Sequence, residues 1–563
     1  MQEHDPRVLA RREARSRPFD AMAWIMLAEA ELDAGDAAAG EAAARRALQL
    51  RPAHPEALAR LGRAQWLQRR FAEAAESLRF AAARAPQHPG IAEWLAHALE
   101  DIGEAETAAA HYTRAHALAP DNPQIAAYLL AWRRRLCDWR DLERLSRQVR
   151  EAVRSGTAPI EPFAFLSEEA SAAEQLQCAR LRASMYHNVQ RPPVRTRMPG
   201  EPVRVGLLSN GFGAHPTGLL IVALMEALAA HTEVHCHLFA LNADDGSTIR
   251  ARLASAARLH ELHGQSHSVV ARRIHQTGAD VLFDLRGWGG GGAPEVLAMR
   301  PAPVQVNWLA FPGSSGAPWI DFVLADQHVL PPGMELHFSE RVIRLPRCFQ
   351  PSDTSRHISL PAPRTEYGLP AEGVVFCCFN NGYKLNPRSF GRMLKVLDSV
   401  PGSVLWLLSG PGESDARVRL AAHDGGVDPS RLVFMDKLPH AEYMARLQRA
   451  DLFLDTIPYN AHTTASDALW AGCPVLTTAG DTFASRVAAS LNHHVGMPDM
   501  NACGDEPFVE HAIALGNNPD ALAAVRLRLE GCRKASSLFD MPGFARDFVA
   551  AIQHMTSHGA VQN

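Results

Sequence analysis

Lysine is almost missing from this sequence. Only Lys384, Lys395, Lys437 and Lys534 occur among 57 basic side chains, and arginine supplies the rest. With the heavy use of alanine this fits a GC-rich coding bias, and it singles out any lysine that is retained. Cysteine is sparse and unpatterned. Of the nine, only Cys377 and Cys378 are neighbours and no CxxC pair occurs, which argues against a zinc ribbon or a dithiol redox motif. An odd, scattered set fits a reducing cytoplasm. Long apolar runs are lacking. The stretch at 219–230 contains Glu226 and is too short to span a bilayer, and the opening MQEHDPRVLARREARSR is too polar for a signal peptide. An excess of charge of one sign is lacking too. The net charge is −4 and the pI about 6.7, which excludes a generally basic nucleic-acid binder. No nucleic-acid or membrane partner is expected. With 47% hydrophobic and 21% charged residues the chain is not a disordered one. Among motifs, GxGxxG after the first strand, GxxxxGK[ST], DxD and HExxH are all missing. This is neither an obvious dinucleotide oxidoreductase nor a P-loop enzyme, and a nucleotide-sugar diphosphate would have to be neutralised without a metal.

What is present begins with a repeat. The 563 residues are enough for three or four domains. Pro18, Pro52, Pro86 and Pro120 are spaced by 34, as are Pro55, Pro89 and Pro123, Leu27, Leu61 and Leu95, and Ala47, Ala81 and Ala115. The period and pattern resemble tetratricopeptide repeats, each a pair of antiparallel helices. Ala28, Gly62 and Ala96 let those helices approach, and the proline ends the second helix because it has no N–H. Three full repeats are expected over about 21–122, preceded by a half-repeat and followed by a decayed unit with Trp132, Cys137 and Trp139. Such units stack into a solenoid with a concave groove. That groove is open to two readings: binding of a peptide or protein, or a rigid spacer or dimerisation arm.

The expected array covers 1–156. A connector at 157–200 follows, and RPPVRTRMPGEP at 191–202 reads as a linker. Beyond it, short apolar runs alternate with helical patterns. Strands are expected at 203–208, 234–240, 281–285, 304–309 and 322–325, then at 374–379, 404–408, 432–434, 452–454 and 475–477. This alternation predicts two parallel, Rossmann-like α/β sheets, at 201–365 and 366–563, with a ligand cleft at the carboxyl ends of the strands. A final helix near 541–557 is expected to pack back across the first half.

Four segments carry candidate chemistry. In FCCFNNGYKLNP (376–387) the rare Lys384 lies between a strand and a helix start, where a point charge and free N–H groups suit a diphosphate; the alternative is a solvated surface lysine. In LDTIPYNAHTTASDALWAGCPVLT (454–477), Thr463 and Thr464 are natural N-cap residues, and Asp467 in the first turn could accept a ribose hydroxyl or merely complement the dipole. In NGFGAHPTG (210–218), glycines bring the backbone close, and His215 is a candidate general base. RPAPVQVNWLAFPGSSG (300–316) either lines the acceptor side or is a structural turn.

Together with CDW (137–139) and ASRVAAS (484–490), these motifs resemble the O-linked N-acetylglucosamine transferases over about residues 20–550. The resemblance implies tetratricopeptide repeats on a GT-B core. It implies metal-free, inverting transfer of N-acetylglucosamine from UDP-GlcNAc to Ser/Thr of proteins, with protein or peptide acceptors reaching the repeat groove and no cofactor. It further implies His215 as the base, Lys384 as the diphosphate lysine with Asn381 replacing a glutamine beside it, and His462, Thr463 and Thr464 as the diphosphate-binding trio. Asp467 is the implied ribose carboxylate. Leu438, Pro439 and His440 match the uracil-binding loop, His440 in place of a lysine, and Tyr443 and Arg446 fall at nucleotide-contacting positions. His275, in RIHQTG, matches a second pocket histidine. The sequence departs from the pattern at Gly211, where an acidic residue is usual, in the GGGG at 289–292, and at Met26, Arg60 and Trp94, where an asparagine is usual. A related branch transfers fucose from GDP-fucose; the presence of His462 and of the His215–Pro216 pair favours UDP-GlcNAc. A non-catalytic repeat adaptor would not need Lys384, the helix start and Asp467 together.

Overall fold

The computed structural model describes residues 5–186 and 200–558; residues 191–199 of the expected linker lie outside them. The chain divides into two compact units, Met1–Val149 with Gly410–Ser414, and Arg150–Ser409 with Asp415–Asn563.

The first unit is built of helices α1 (Pro6–Ser16), α2 (Ala21–Asp33), α3 (Ala37–Leu50), α4 (Pro55–Leu67), α5 (Phe71–Arg84), α6 (Pro89–Asp101), α7 (Ala105–Leu118) and α8 (Pro123–Arg135), with α9 (Leu142–Ser155) running across the division. The starts of α2, α4, α6 and α8 are each 34 residues apart, so the sequence period is a structural one. The two proline ladders have different work. Pro55, Pro89 and Pro123 open α4, α6 and α8, where no N–H is required. Pro52, Pro86 and Pro120 follow the ends of α3, α5 and α7, which they prevent from continuing. Ala28, Ala47, Ala81, Ala96 and Ala115 are fully buried. A Cβ on Gly62 would lie 2.5 Å from Leu78 Cγ, so only glycine allows α4 and α5 this approach. Where asparagine is usual in such repeats, Arg60 pairs with Glu29 and Trp94 packs edge-on against Trp66 at 5.4 Å, beneath the Arg63 guanidinium. One repeat further on, Tyr128 packs on His97 at 4.7 Å.

The second unit opens with short helices α10 (Pro162–Phe165) and α11 (Ala172–Ala183). Its first sheet has β1 (Val203–Ser209), β2 (Val234–Ala240), β3 (Arg258–Glu261), β4 (Val281–Asp284), β5 (Val304–Asn307), β6 (Phe322–Asp326) and β7 (Arg341–Leu345) in the order 3-2-1-4-5-6-7. Helices α12 (Pro216–Leu228), α13 (Thr248–Ala256), α14 (His267–Thr277) and α15 (Pro294–Ala298) join its strands. The second sheet has β8 (Val375–Cys378), β9 (Val404–Leu408), β10 (Leu432–Met435), β11 (Leu452–Leu454), β12 (Val475–Thr478) and β13 (Asn501–Ala502) in the order 10-9-8-11-12-13. It carries α16 (Pro387–Ser399), α17 (Ser414–Asp424), α18 (His440–Leu447), α19 (Thr463–Ala471), α20 (Val487–Val495), α21 (Asp505–Gly516) and α22 (Pro519–Ala535). All pairings are parallel. In each sheet the order reverses beside the first strand, which is where this topology opens a crevice. Sequence reading missed β3, β7 and β13. All three lie at sheet edges and are partly polar, so no apolar run announces them.

Helix α23 (Met541–His558) returns to the first sheet. Phe548 meets Phe283 and Trp308, each at 5.0 Å, and Arg347 pairs with Asp540 and Asp547. Among the described residues no helix is long and apolar enough to cross a membrane.

Candidate active site

The polar residues at the carboxyl ends of the second sheet are tied into one network. Asp455, just after β11, is fully buried. It accepts from Thr477 Oγ1 (2.6 Å), from Asn380 Nδ2 (3.2 Å) and from the backbone N–H groups of Thr456 and Ala461. Asn386 and Ser389, at the start of α16, donate to Ile457 O. The loop leading to α19 is thus fixed from below. Lys384 sits on it. Its Nζ donates to Asn460 O at 2.7 Å and lies 3.8 Å from the centre of the Tyr459 ring.

Lys384 is 7% exposed, so it is not a solvated surface lysine. Burial pushes its amine down to about 7, opposed by the attraction of Asp455 and Cys378. A cation held half-charged in this way gains from any anion that reaches it. Asn381 is exposed beside it, and its carbonyl accepts from Lys384 N.

Helix α19 corrects the expected capping. Its N-cap is His462; Thr463 and Thr464 are the first two helical residues, and no side chain caps this end. The His462 ring turns away, Nε2 lying 3.1 Å from Ala484 O, and burial together with Lys384 holds it neutral. The first N–H groups of the helix are left to an outside acceptor. Asp467 is the fifth helical residue, one or two positions further in than expected, and both its oxygens are engaged. Oδ1 binds Arg356 Nη1 at 2.5 Å and Oδ2 lies 3.1 Å from His440 Nε2. Each oxygen retains a lone pair for a hydroxyl. Arg356 is buried and also donates to Asp353 O; sequence reading passed over it because it stands in an irregular segment with no motif around it.

His440 and Tyr443 gather at the start of α18, their rings 6.1 Å apart, with Tyr443 also packed on Phe379 at 5.8 Å. Leu438 is half-buried and Pro439 exposed just before that helix. Arg446 is directed elsewhere in α18, stacked on Tyr367 at 4.8 Å. His275 is half-buried in the last turn of α14.

From the first sheet, His215 follows β1 as the N-cap of α12, with Nδ1 accepting from Thr217 N at 3.1 Å. Gly211 is explained by it: a Cβ there would stand 2.4 Å from His215 Nδ1. Arg286 Nη1 lies 3.4 Å from the other ring nitrogen. Burial and Arg286 push His215 down to about 4. An imidazole flanked by an N–H on one side and a cation on the other is a poor proton acceptor at neutral pH. The ring is thus held neutral as the cap of α12. Among the described residues no group of three or more His, Cys, Asp or Glu side chains is placed to hold a metal ion.

Two Rossmann-like sheets, a buried lysine and an uncapped helix end at the switch point together define a GT-B glycosyltransferase architecture. The chain belongs to glycosyl transferase family 41, which matches residues 170–360 and 350–548. It is 32% identical over 432 residues to the probable UDP-N-acetylglucosamine–peptide N-acetylglucosaminyltransferase SEC of Arabidopsis thaliana, across 72% of this chain and 44% of that one. It is 25% identical to the UDP-N-acetylglucosamine–peptide N-acetylglucosaminyltransferase of Caenorhabditis elegans, across 73% and 47%. It thus spans about half the length of the curated relatives it matches. A solved mutant of the Thermobaculum terrenum O-GlcNAc transferase superposes with a TM-score of 0.70 at 25% identity, covering 96% of this chain and 98% of that one.

Proposed function

We propose that this chain is an inverting glycosyltransferase that moves N-acetylglucosamine from UDP-GlcNAc to Ser/Thr hydroxyls of proteins, without a metal or other cofactor. Lys384 carries the reading: a buried amine beside an uncapped helix N-terminus, in a member of this family. The acceptor hydroxyl oxygen attacks the anomeric carbon from the face opposite the diphosphate and gives up its proton to water. The bond from that carbon to the phosphate oxygen breaks, and UDP leaves with the electron pair. Lys384, in its charged form, and the N–H groups at Thr463 and Thr464 offset the charge that grows on the leaving group. Asp467, held by Arg356 and His440, takes the ribose. Leu438, Pro439 and His440 meet the uracil edge beside the Tyr443 ring, with Asn381 and Arg446 at the margins.

His215 acts as a neutral hydrogen-bonding group at the sugar side, and His275 belongs to the acceptor side of the pocket. The repeat unit engages the acceptor protein. Its aromatic and ionic face at Arg60, Trp94 and Tyr128 favours contacts to acceptor side chains over an asparagine clamp on the backbone. The unpaired cysteines fit a reducing compartment such as the cytoplasm.

The test is calorimetric titration with UDP and with GDP, each with and without EDTA, followed by transfer of labelled sugar from UDP-GlcNAc to protein. UDP binding that survives EDTA supports the reading. Tighter GDP binding moves the chain to fucosyl transfer, and loss of UDP binding on chelation shows that a metal balances the diphosphate.

A further inference from the structure

In the run GGGG at 289–292, three of the four glycines have a structural reason, and the turn they make borders Arg286. Asp284, at the end of β4, accepts from the backbone N–H groups of Arg286 (2.9 Å) and Gly287 (3.0 Å) and so fixes the turn that follows. The glycines then fold tightly over it. A Cβ on Gly291, which has φ +75°, would lie 1.7 Å from Asn210 Nδ2, and one on Gly292 would lie 2.3 Å from Gly287 O. The carbonyl of Gly290 is thereby presented to two donors, Asn210 Nδ2 at 3.3 Å and Arg286 Nη2. The guanidinium is held by this carbonyl and not by an acid. Among the described residues Arg286 has no carboxylate within ion-pair distance, and its Nε is buried without a partner.

Arg286 also faces the other lobe. Trp288, two residues on, shares an apolar cluster with Tyr459, and the Arg286 charge is felt by the Tyr459 hydroxyl. Lys384 Nζ stands over the Tyr459 ring. The two cations thus come from different sheets, Arg286 half-buried and Lys384 buried, and among the described residues neither makes an ion pair. A half-buried guanidinium that lacks a carboxylate partner gains from an anion that joins it, and its planar fork matches phosphate oxygens.

We propose that Arg286 is a second cation for the donor diphosphate, reaching it from the first lobe while Lys384 and the start of α19 hold it from the second. This rests on the nucleotide-sugar reading above. It adds that the diphosphate is held from both sheets, since the two cations belong to different ones.

The experiment compares wild type with Arg286→Met and Arg286→Lys by calorimetry, using UDP, inorganic pyrophosphate and uridine as probes, and measures hydrolysis of UDP-GlcNAc with no acceptor present. Losing one charge-assisted contact weakens binding roughly ten- to a hundredfold. That loss is expected for UDP and pyrophosphate with Arg286→Met, with slower donor hydrolysis, partial recovery in Arg286→Lys and unchanged affinity for uridine. Equal weakening for uridine means that Arg286 only supports the fold and overturns the proposal. So does unchanged pyrophosphate binding, or an effect confined to KM for the acceptor. If wild type binds pyrophosphate in an Arg286-dependent way but not UDP, the choice of nucleotide is wrong and the role of Arg286 stands. If it binds neither, both readings fall.

Discussion

The two sheets of the second unit share one strand order around their first strands, yet they end differently at the cleft. In each, a histidine is the N-cap of a helix in the crevice, His215 for α12 and His462 for α19. His215 folds back and satisfies the Thr217 N–H itself. The His462 ring instead turns toward Ala484 O, and its helix stays open. The same residue type as N-cap of a crevice helix thus caps one helix end with its own ring and leaves the other end uncapped. What differs is the neighbour available to the ring. In the first sheet Gly211 leaves room for the imidazole to lie over its own helix end; in the second the backbone at Ala484 offers an acceptor that draws it off.

The largest test of this asymmetry removes the cation on the open side. Lys384→Ala is expected to lower the transfer rate by about 10²–10³ with circular dichroism unchanged; near-normal turnover in the folded variant would remove Lys384 from the chemistry. Next comes the contrast between the units. Deleting residues 1–125 should lower protein glycosylation at least about tenfold, as expected when the acceptor loses a separate binding surface, while UDP affinity holds. Equal losses of both, in a core that still melts cooperatively, would make the repeats structural.

A smaller effect follows from pH. The Lys384 amine is pushed down to about 7, so it is charged below that pH and neutral above it. UDP affinity should fall as pH rises from 7 to 9, by at most about tenfold per unit, with proton uptake on binding. Pairs of buffers of unlike ionisation enthalpy would measure that uptake, and a flat profile would mean that the charge on Lys384 is not used.

The smallest effect belongs to the closed side. His215→Ala removes a cap at a cost of about 1 kcal/mol. Because folding holds this imidazole down to about 4, wild type loses stability as pH falls from 6.5 toward 4, where the unfolded chain takes up the proton first. The variant should lack that portion of the acid loss in its melting temperature.

Sequence alone determined what is local and periodic. The 34-residue ladder set the period and extent of the repeats, because a tetratricopeptide unit contacts only its neighbours and so repeats its demands on each residue. Apolar runs placed the inner strands, which are buried on both faces and must read that way, and the scarcity of lysine marked Lys384. Tertiary structure decided what depends on contacts distant in sequence. The pairing of Arg356 with Asp467 spans 111 residues, and that of Arg286 with His215 spans 71. No spacing rule connects such positions. The edge strands β3, β7 and β13 were likewise settled by the sheet that receives them. That His215 caps α12 and lies beside Arg286 was likewise legible only in the folded chain, because a protonation state follows from surroundings that only the folded chain assembles.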